Sequence, residues 1–237
     1  MSGIPYLLSS DNCILIASSE NRYGGSKKCG MILLHGHLAP FPQYFTTLLT
    51  KWMGIRSDCV IKAPRTPGNS WYPMYMTPEK SVLSLTPGES KQGLEIALRS
   101  IESIIEDMIN GGIPSDNIVV HGYSQGAGLT HYIAAHTKHK LGGFLATMGW
   151  LPLRLIEPVY KLKPAPVNIN TPFLHVTGYW DRIVPNNPCG TLTRDDMQKM
   201  FRKYKHKPLP GSHFLEYSPV LSVVAKKWIK QNTNIGA

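Results

Sequence analysis

The feature of this chain that most constrains its fold is a glycine-rich turn between an apolar run and a helical pattern. Residues 117–121 predict a buried strand, residues 125–138 predict a helix, and Gly122-Tyr123-Ser124-Gln125-Gly126 joins the two. A G-x-S-x-G motif in this setting is typical of a strained turn that holds a serine hydroxyl at a helix N-terminus. We therefore predict that Ser124 is a nucleophile; the alternative is an ordinary surface serine on a glycine-rich turn.

The alternation of apolar runs with helical patterns indicates an α/β fold. Several apolar runs are continuous, which is typical of parallel strands covered on both faces. The predicted strands are residues 13–17, 30–35, 59–63, 117–121, 143–148, 172–177 and 202–207, and the predicted helices are 42–53, 90–110, 125–138, 193–200 and 219–230. The helix at 90–110 starts either from a capping box at 86–89 or from Ser90. We predict one domain, residues 1–237, with a mostly parallel central sheet and helices on both faces.

A long segment without clear periodicity precedes the helix at 90–110. Residues 64–87 contain five prolines and an unusual number of large apolar side chains, among them Trp71, Met74 and Met76. A loop of this length in a compact domain is usually functional. We expect residues 64–89 to form a long loop near Ser124.

A serine hydroxyl needs a base to become a nucleophile, and His213 is the best candidate. It follows the turn Pro210-Gly211-Ser212 after the last predicted strand, so it can reach back over the carboxyl ends of the strands. The histidines of the helix after Ser124 cannot fold back onto it. His175 lies within an apolar strand and is predicted to be a core residue, and His206 belongs to an alternating run and is expected to face solvent.

The base needs a carboxylate to orient it, and Asp181 is the predicted partner. Asp181 follows a predicted strand and the turn at Gly178, and it gives the chain order serine, acid, histidine that this motif favours. Asp195 and Asp196 are better explained as charge complements at a helix start. Glu216 is too close in sequence to His213 to orient it.

Two backbone N–H groups are expected to form an oxyanion hole. The residue after the nucleophile, Gln125, supplies one of them. The loop after the second predicted strand supplies the other, with His37 as the first candidate and Leu38 as the second. His37 could instead be a metal ligand, but no second ligand lies at a suitable spacing. We expect neither a metal nor another cofactor.

Charge and cysteine content bound the partners and the compartment. The net charge is +10, and basic residues cluster at 199–207 and 226–230. This surface is either simply solvated or attracted to anionic membranes, whereas no nucleic-acid motif is present and no such partner is expected. No stretch approaches 18 uninterrupted apolar residues, and no signal peptide is recognisable. The four cysteines predict buried free thiols, which favours the cytoplasm.

Seven short motifs occur together along the chain. They are Leu34-His35-Gly36, Ser70-Trp71, Gly112-Ile113-Pro114-Ser115, the turn at 122–126, Trp150-Leu151-Pro152-Leu153, the stretch from Gly178 through Asp181 to Val184-Pro185, and Gly211-Ser212-His213. In this combination the chain resembles the acyl-protein thioesterase family, also called the lysophospholipase/carboxylesterase family of small α/β hydrolases. The resemblance covers residues 30–228.

The resemblance implies an α/β-hydrolase fold and a catalytic triad of Ser124, Asp181 and His213. It also implies hydrolysis of fatty acyl thioesters or esters, notably S-palmitoyl groups on protein cysteines, so S-acylated proteins or acyl esters would be the partners. The residues that it places at the substrate are Trp71, Trp150, Leu151 and Val184. A carboxylesterase or lysophospholipase shares the acyl half of such a site, and a non-catalytic binding module is the alternative from another class.

The chain departs from the family pattern in three places. The family's first loop usually has the sequence His-Gly-x-Gly-Asp, whereas this chain has His35-Gly36-His37-Leu38-Ala39. The loop at 71–89 is longer than usual and rich in methionine, so Met74 and Met76 could form a flap over an acyl chain or simply pack the loop down. No cysteine lies near the N-terminus, so we expect no lipid anchor there, and the basic surface would supply any membrane contact.

Overall fold

A seven-stranded sheet forms the centre of the protein. The computed structural model describes residues 13–17, 29–38, 53–56, 58–74, 90–153, 166–214 and 218–236. The strands are β1 (Cys13–Ala17), β2 (Cys29–Leu34), β3 (Cys59–Pro64), β4 (Ile118–Tyr123), β5 (Gly143–Thr147), β6 (Phe173–Gly178) and β7 (Tyr204–Leu209). Their order is β1-β3-β2-β4-β5-β6-β7, with β1 antiparallel to β3 and every other pair parallel. The predicted α/β fold class is confirmed.

Four α-helices flank the sheet in the described residues. They are α1 (Lys91–Asn110), α2 (Gln125–His136), α3 (Thr191–Met200) and α4 (Pro219–Asn232). Short 3₁₀ turns occupy Pro67–Asn69, Ser115–Asn117 and Pro166–Asn168, and a π-type turn covers Asn186–Gly190. The predicted helix at 42–53 lies outside the described residues except for Met53, and so do residues 75–89 of the predicted long loop.

The central strands are buried on both faces, which explains their continuous apolar sequences. In β2, Ile32 and Leu34 join a core cluster with α1 and α2, whereas Met31 and Leu33 join a second cluster with α4. Successive strand residues point to opposite faces, so each face of β2 needs its own apolar set. The sheet therefore separates two cores.

Helix α1 starts at the second of the two predicted positions. The Ser90 Oγ accepts a hydrogen bond from the Gly93 N–H at 3.0 Å, and Ser90 itself has extended backbone angles. This is the geometry of an N-cap, which satisfies one of the N–H groups that have no partner within the helix. The buried stripe of α1 includes Leu94, Ile101 and Ile105, as the helical pattern predicts.

Strand β7 begins two residues later than predicted, and one of its side chains was assigned the wrong environment. Residues 202–203 form a turn before the strand. His206 does not face solvent: it is half-buried, and its Nε2 lies 2.9 Å from the Thr177 Oγ1 on β6. The alternation of β7 was correct, but Tyr204 and His206 occupy the covered face while Lys205 and Lys207 are exposed.

The described helices are all too short or too polar to cross a membrane. Cys29, Cys59 and Cys189 are buried and carry free thiols, as predicted.

Candidate active site

Ser124 occupies a sharp turn between β4 and α2. Its backbone angles are φ 54° and ψ −115°, in a region that residues with a side chain rarely adopt. The turn is held by the Ser124 N–H, which donates to the Thr147 carbonyl at 2.9 Å, and by the Gly128 N–H, which donates to the Ser124 carbonyl at 3.1 Å. Such strain persists only where the surroundings enforce it, and it places the hydroxyl at the start of α2.

Two glycines of the motif allow the close packing of this turn. A Cβ at position 122 would collide with the carbonyl of Gly126, and a Cβ at position 126 would collide with the carbonyls of Leu34 and His35. These obstacles are backbone atoms, which cannot rotate away as a flexible side chain can. The start of α2 therefore touches the end of β2, and the loop after β2 lies beside the serine.

Three side chains form a continuous hydrogen-bonded series. The His213 Nε2 lies 2.9 Å from the Ser124 Oγ, and the His213 Nδ1 lies 2.7 Å from the Asp181 Oδ2. An ionised carboxylate can only accept, so the proton sits on Nδ1 and Nε2 is free to accept from the serine hydroxyl. All three side chains are more than nine-tenths buried, and the structure brings together the three residues predicted as a triad.

The carboxylate of Asp181 is held from its other side as well. Its Oδ1 accepts hydrogen bonds from the Ile183 N–H at 2.9 Å and the Val184 N–H at 2.8 Å. Backbone donors stabilise a carboxylate and fix its rotamer, so Oδ2 is left directed at His213. The position of the acid is thus set by its own loop.

The loops that carry the acid and the base are joined to each other. The Tyr179 N–H donates to the Leu209 carbonyl at 2.9 Å, and the Trp180 N–H donates to the Gly211 carbonyl, also at 2.9 Å. The Tyr123 hydroxyl, next to the serine, donates to the His213 carbonyl at 3.0 Å. These bonds connect the loops that follow the carboxyl ends of β4, β6 and β7.

The acids and bases that were rejected as triad members lie elsewhere, and His175 is a core residue as predicted. His175 is fully buried in the core, with Nδ1 at 2.7 Å from the Tyr204 hydroxyl and Nε2 at 3.1 Å from the Gly149 carbonyl. The interpretation of Asp195 and Asp196 as charges at a helix start is wrong, because α3 begins at Thr191. They lie in its second turn and pair with Arg194 and Lys199 on the surface.

The loop after β2 lies close to the serine, and one of its two candidate oxyanion donors is already bonded elsewhere. A Cβ at Gly36 would lie 3.3 Å from the Ser124 Cβ, so this loop passes directly over the serine. The Leu38 N–H donates to the Asn69 carbonyl at 2.8 Å, which removes Leu38 from the candidates. Among the described residues, no acceptor binds the His37 N–H.

The His37 side chain is a neutral structural group in this arrangement. Its Nδ1 lies 3.2 Å from the Ser70 Oγ, and partial burial lowers the pKa of the imidazole below its ordinary value. Within the ranges that the structure describes, no three His, Cys, Asp or Glu side chains are placed to hold a metal ion.

The predicted substrate-contacting residues fall into two groups. Trp150 and Val184 belong to a small apolar cluster with Cys189, against which Met74 packs half-buried. Trp71 lies apart from this cluster, with its Nε1 donating to the His35 carbonyl at 2.7 Å. Leu151 is buried in the core beside α1 and α2. Met76 lies outside the described residues, so of the two methionines that could form a flap or pack the loop down only Met74 is described, and it packs against the small cluster.

One set of contacts at this site had no signal in the sequence. The Gln125 Nε2 donates to the Tyr72 carbonyl at 2.8 Å and to the Ser70 Oγ at 3.1 Å, and its Oε1 accepts from the Trp71 N–H at 3.0 Å. The pair Ser70-Trp71 stands out as a family motif, but its spacing of more than fifty residues from Gln125 hides the contact. The side-chain amide of Gln125 therefore binds the segment that contains Ser70, Trp71 and Tyr72.

Comparison with known proteins places these features in a family. A model of the phospholipase/carboxylesterase family matches residues 24–230. Acyl-protein thioesterase 1 of Kluyveromyces lactis is 34% identical over 117 residues, which cover 48% of this chain and 47% of that protein. Acyl-protein thioesterase 1 of Neurospora crassa is 32% identical over 142 residues, which cover 60% of this chain and 56% of that protein. The chain spans about half the length of the curated relatives it matches.

Solved structures share the fold over nearly the whole chain. Zea mays acyl-protein thioesterase 2 superposes with a TM-score of 0.68 at 19% identity, covering 93% of this chain and 98% of that one. Arabidopsis thaliana SOBER1 superposes with a TM-score of 0.72 at 19% identity, covering 86% of this chain and 99% of that one. Both establish the α/β-hydrolase architecture. With the family model matching most of its length, this chain belongs to the phospholipase/carboxylesterase family.

Proposed function

We propose that this protein is a serine hydrolase that cleaves fatty acyl thioesters, with S-palmitoylated proteins as its substrates. The observation that carries the proposal is the hydrogen-bonded series from Ser124 through His213 to Asp181, with distances of 2.9 and 2.7 Å. This series has the geometry that nucleophilic acyl transfer requires. The acyl-protein thioesterases among the relatives support the choice of a thioester.

The chemistry follows from the positions of these groups. The Ser124 Oγ attacks the thioester carbonyl while the His213 Nε2 accepts its proton, and Asp181 stabilises the imidazolium that forms. The oxyanion accepts hydrogen bonds from the N–H groups of Gln125 and His37. The C–S bond then breaks, and His213 gives the proton to the departing thiolate. In the second half-reaction water attacks the acyl-enzyme carbonyl while the His213 Nε2 accepts a proton from it. The bond to the Ser124 Oγ then breaks, and His213 returns the proton to the serine.

The acyl chain needs an apolar surface next to the serine. We assign this role to Trp71, Trp150, Leu151 and Val184, together with Met74. Three of these side chains, Met74, Trp150 and Val184, lie in one cluster, and the Val184 N–H binds Asp181. A chain bound there would lie beside the triad, where each buried methylene contributes about 0.8 kcal/mol.

The first experiment labels the protein with a fluorophosphonate, which reacts with activated serines. We expect labelling of the wild type and none of Ser124→Ala. Ser100→Ala removes a buried serine on α1 whose hydroxyl bonds the Ile96 carbonyl, and it should label normally. Absence of wild-type labelling, or equal labelling of Ser124→Ala, would support a non-catalytic binding module instead.

The second experiment identifies the leaving group. The same acyl chain is offered as a peptide thioester, a simple ester and a lysophospholipid, and kcat/KM is compared. The proposal expects the thioester to be preferred. The phospholipase/carboxylesterase family to which the chain belongs also supports a carboxylesterase or lysophospholipase, and a preference for either of the other two substrates would select that activity.

The edge of the sheet that carries the triad is a candidate membrane contact for a cytoplasmic enzyme. The described loops at this edge expose four large apolar side chains: Leu38, Tyr179, Trp180 and Phe214. The exposed charges on the same loops are Arg65 and Arg182, both basic. Aromatic rings with basic neighbours suit the interface of an anionic bilayer, where acylated substrates reside.

This contact can be measured with vesicles. Trp180 is 68% exposed whereas Trp71, Trp150 and Trp228 are buried, and Trp52 lies outside the described residues. We therefore expect a blue shift of the fluorescence on binding that Trp180→Phe abolishes. We expect sedimentation with anionic vesicles that salt weakens and that Phe214→Ser reduces. Val167→Ser is the matched control, since Val167 is exposed before β6, at the opposite edge of the sheet. Equal binding of both variants would contradict the contact.

A further inference from the structure

A short segment of the chain, residues 69–72, lies between the two backbone groups assigned to the oxyanion hole. We call it the bracing segment. It follows the 3₁₀ turn Pro67–Asn69, and its Trp71 and Tyr72 are buried. No residue of this segment belongs to the triad, yet it makes contacts with both sides of the site.

On the nucleophile side, the bracing segment is held by the side chain of Gln125. This side chain is completely buried, and both ends of its amide are used. Its nitrogen donates to the Tyr72 carbonyl and the Ser70 hydroxyl, and its oxygen accepts from the Trp71 N–H. The backbone N–H of Gln125 is thus assigned to the oxyanion, while its side-chain amide is hydrogen-bonded to the bracing segment.

On the opposite side, the same segment holds the loop after β2. The Trp71 Nε1 donates to the His35 carbonyl at 2.7 Å, and the Asn69 carbonyl accepts from the Leu38 N–H at 2.8 Å. The Ser70 Oγ lies 3.2 Å from the His37 Nδ1. Bonds to residues 35, 37 and 38 therefore surround the His37 peptide group.

We infer that Gln125, Ser70 and Trp71 are positioning residues that set the distance between the two oxyanion donors. The inference rests on the proposed function, because it assigns a role within that hydrolase site. Its physical basis is that β2 and α2 belong to different parts of the chain, and the bracing segment links both by buried hydrogen bonds. An oxyanion hole works only if its donors are placed in advance at hydrogen-bond distance from the developing charge.

The test removes the amide without changing the size of the side chain. Gln125→Met keeps the backbone N–H and the volume but loses every hydrogen bond of the side-chain amide to the segment; only the 3.5 Å bond from the Tyr72 hydroxyl to the Gln125 backbone carbonyl remains. A misplacement of about 1 Å can cost a factor of about 10² in rate, so we expect kcat to fall by about tenfold to hundredfold. The KM for a short-chain ester should stay within about twofold, and the rate of fluorophosphonate labelling should fall with kcat.

The control is a second buried amide with the same construction. Asn168 is fully buried, its Nδ2 donates to the His139 carbonyl at 2.9 Å, and its Oδ1 accepts from the Leu141 N–H at 3.1 Å. Asn168 lies before the amino end of β6, whereas the triad lies at the carboxyl ends of the strands. Asn168→Leu should lower the free energy of unfolding as Gln125→Met does, but leave kcat unchanged.

A second variant keeps the inference testable if Gln125→Met does not fold. Trp71→Phe retains an aromatic ring beside His35, but it loses the bond from Nε1 to the His35 carbonyl and part of the buried ring. On the short-chain ester it should lower kcat with KM unchanged. The double variant with Gln125→Met should lose less than the product of the two single effects, because both changes release the same segment.

The outcomes separate this inference from the proposed function. A folded Gln125→Met or Trp71→Phe protein with wild-type kcat overturns the inference while the function stands. An equal loss of kcat in Asn168→Leu also overturns it, since the effect would then follow stability alone. A wild type with neither turnover nor labelling refutes the proposed function, and the inference with it.

Discussion

At the scale of single residues, the acid of the site has the most specific environment. Both oxygens of Asp181 are engaged, one with His213 and the other with two backbone N–H groups. The N–H groups fix which way the carboxylate faces, so the imidazole has one available tautomer. Orientation, rather than charge alone, is therefore what this residue provides.

This environment predicts the effect of Asp181→Asn. The backbone donors select the amide oxygen as their partner, so the amide nitrogen faces His213 and forces the proton onto Nε2. Nε2 then cannot accept from Ser124, and kcat should fall by about 10⁴-fold, as in other triads. Steady-state hydrolysis of a chromogenic ester measures it.

The control is Asp195→Asn, which removes a surface carboxylate paired with Arg194. It should keep the wild-type rate. If both variants lose the same activity, or if Asp181→Asn stays active, the orienting role of Asp181 is contradicted.

At this scale, chain order and local motif were enough to predict which three side chains the structure brings together. Ser124 is marked by its motif, and Asp181 and His213 remained after their competitors were eliminated. Sequence reasoning failed for Leu38, whose N–H is used by Asn69, and for the amide of Gln125. Both depend on residues 69–72, and a contact between distant segments leaves no periodicity or spacing in the sequence.

At the scale of elements, the start of α2 and the end of β2 touch through backbone atoms. Gly126→Ala would drive a methyl group into the carbonyls of Leu34 and His35. Neither element can yield without moving Ser124 or the loop at 35–38. We expect loss of fluorophosphonate labelling together with a lower urea midpoint. The added methyl group overpacks this contact, and overpacking typically lowers the free energy of unfolding by about 1–3 kcal/mol.

Ser90→Ala provides the comparison for stability alone. It removes the N-cap of α1, which should cost about 1 kcal/mol of unfolding free energy. Because the cap bond runs only to Gly93, labelling and kcat should be unchanged in the folded fraction. If Ser90→Ala abolished labelling, loss of stability rather than collision would explain Gly126→Ala.

Elements were predictable to the extent that burial is uniform along them. The central strands and α1 have strong apolar patterns, and the structure places them within one or two residues of the prediction. β7 was displaced and His206 misassigned, because an edge strand has one covered and one exposed face. Polar residues such as Thr177 and His206 can occupy the covered face by bonding each other, which mimics a solvated pattern.

At the scale of the whole molecule, two buried histidines and the half-buried His206 form a row across α2, β6 and β7. The ring centroids of His131 and His175 are 4.7 Å apart, and those of His175 and His206 are 5.0 Å apart. Burial lowers the pKa of His131 to about 3 and that of His206 to about 4, and it holds the pKa of His175 well below its ordinary value. All three are therefore neutral in the folded protein at neutral pH.

This row predicts a loss of stability in mild acid. The unfolded chain binds protons on these histidines near pH 6.5, whereas the folded protein binds them only at much lower pH. Their contribution is fully present above pH 6.5 and is lost as the pH falls toward 4 and then 3. At pH 5 the fully buried His131 alone should lower the unfolding free energy by about 2 kcal/mol.

Urea unfolding at pH 8, 6.5 and 5 tests this prediction in the wild type and in His131→Leu. The Nδ1 of His131 is hydrogen-bonded to the Ala127 carbonyl, and its Nε2 has no hydrogen-bond partner among the described residues. Leucine at this position therefore removes one hydrogen bond. The variant should lose about 2 kcal/mol less between pH 8 and 5. Parallel curves for the two proteins would contradict the assignment.

The position of β7 has a consequence for how the protein fails under stress. Ser124 follows β4, which is hydrogen-bonded on both sides by β2 and β5, whereas His213 follows β7, which is the last strand of the described sheet and pairs there with β6 alone. An outer strand frays at lower denaturant concentration than an inner one. Activity should therefore be lost at denaturant concentrations at which most of the protein is still folded, and it should return at once on dilution. The base then lies on the least stable strand of the site, and the nucleophile lies on the most stable one.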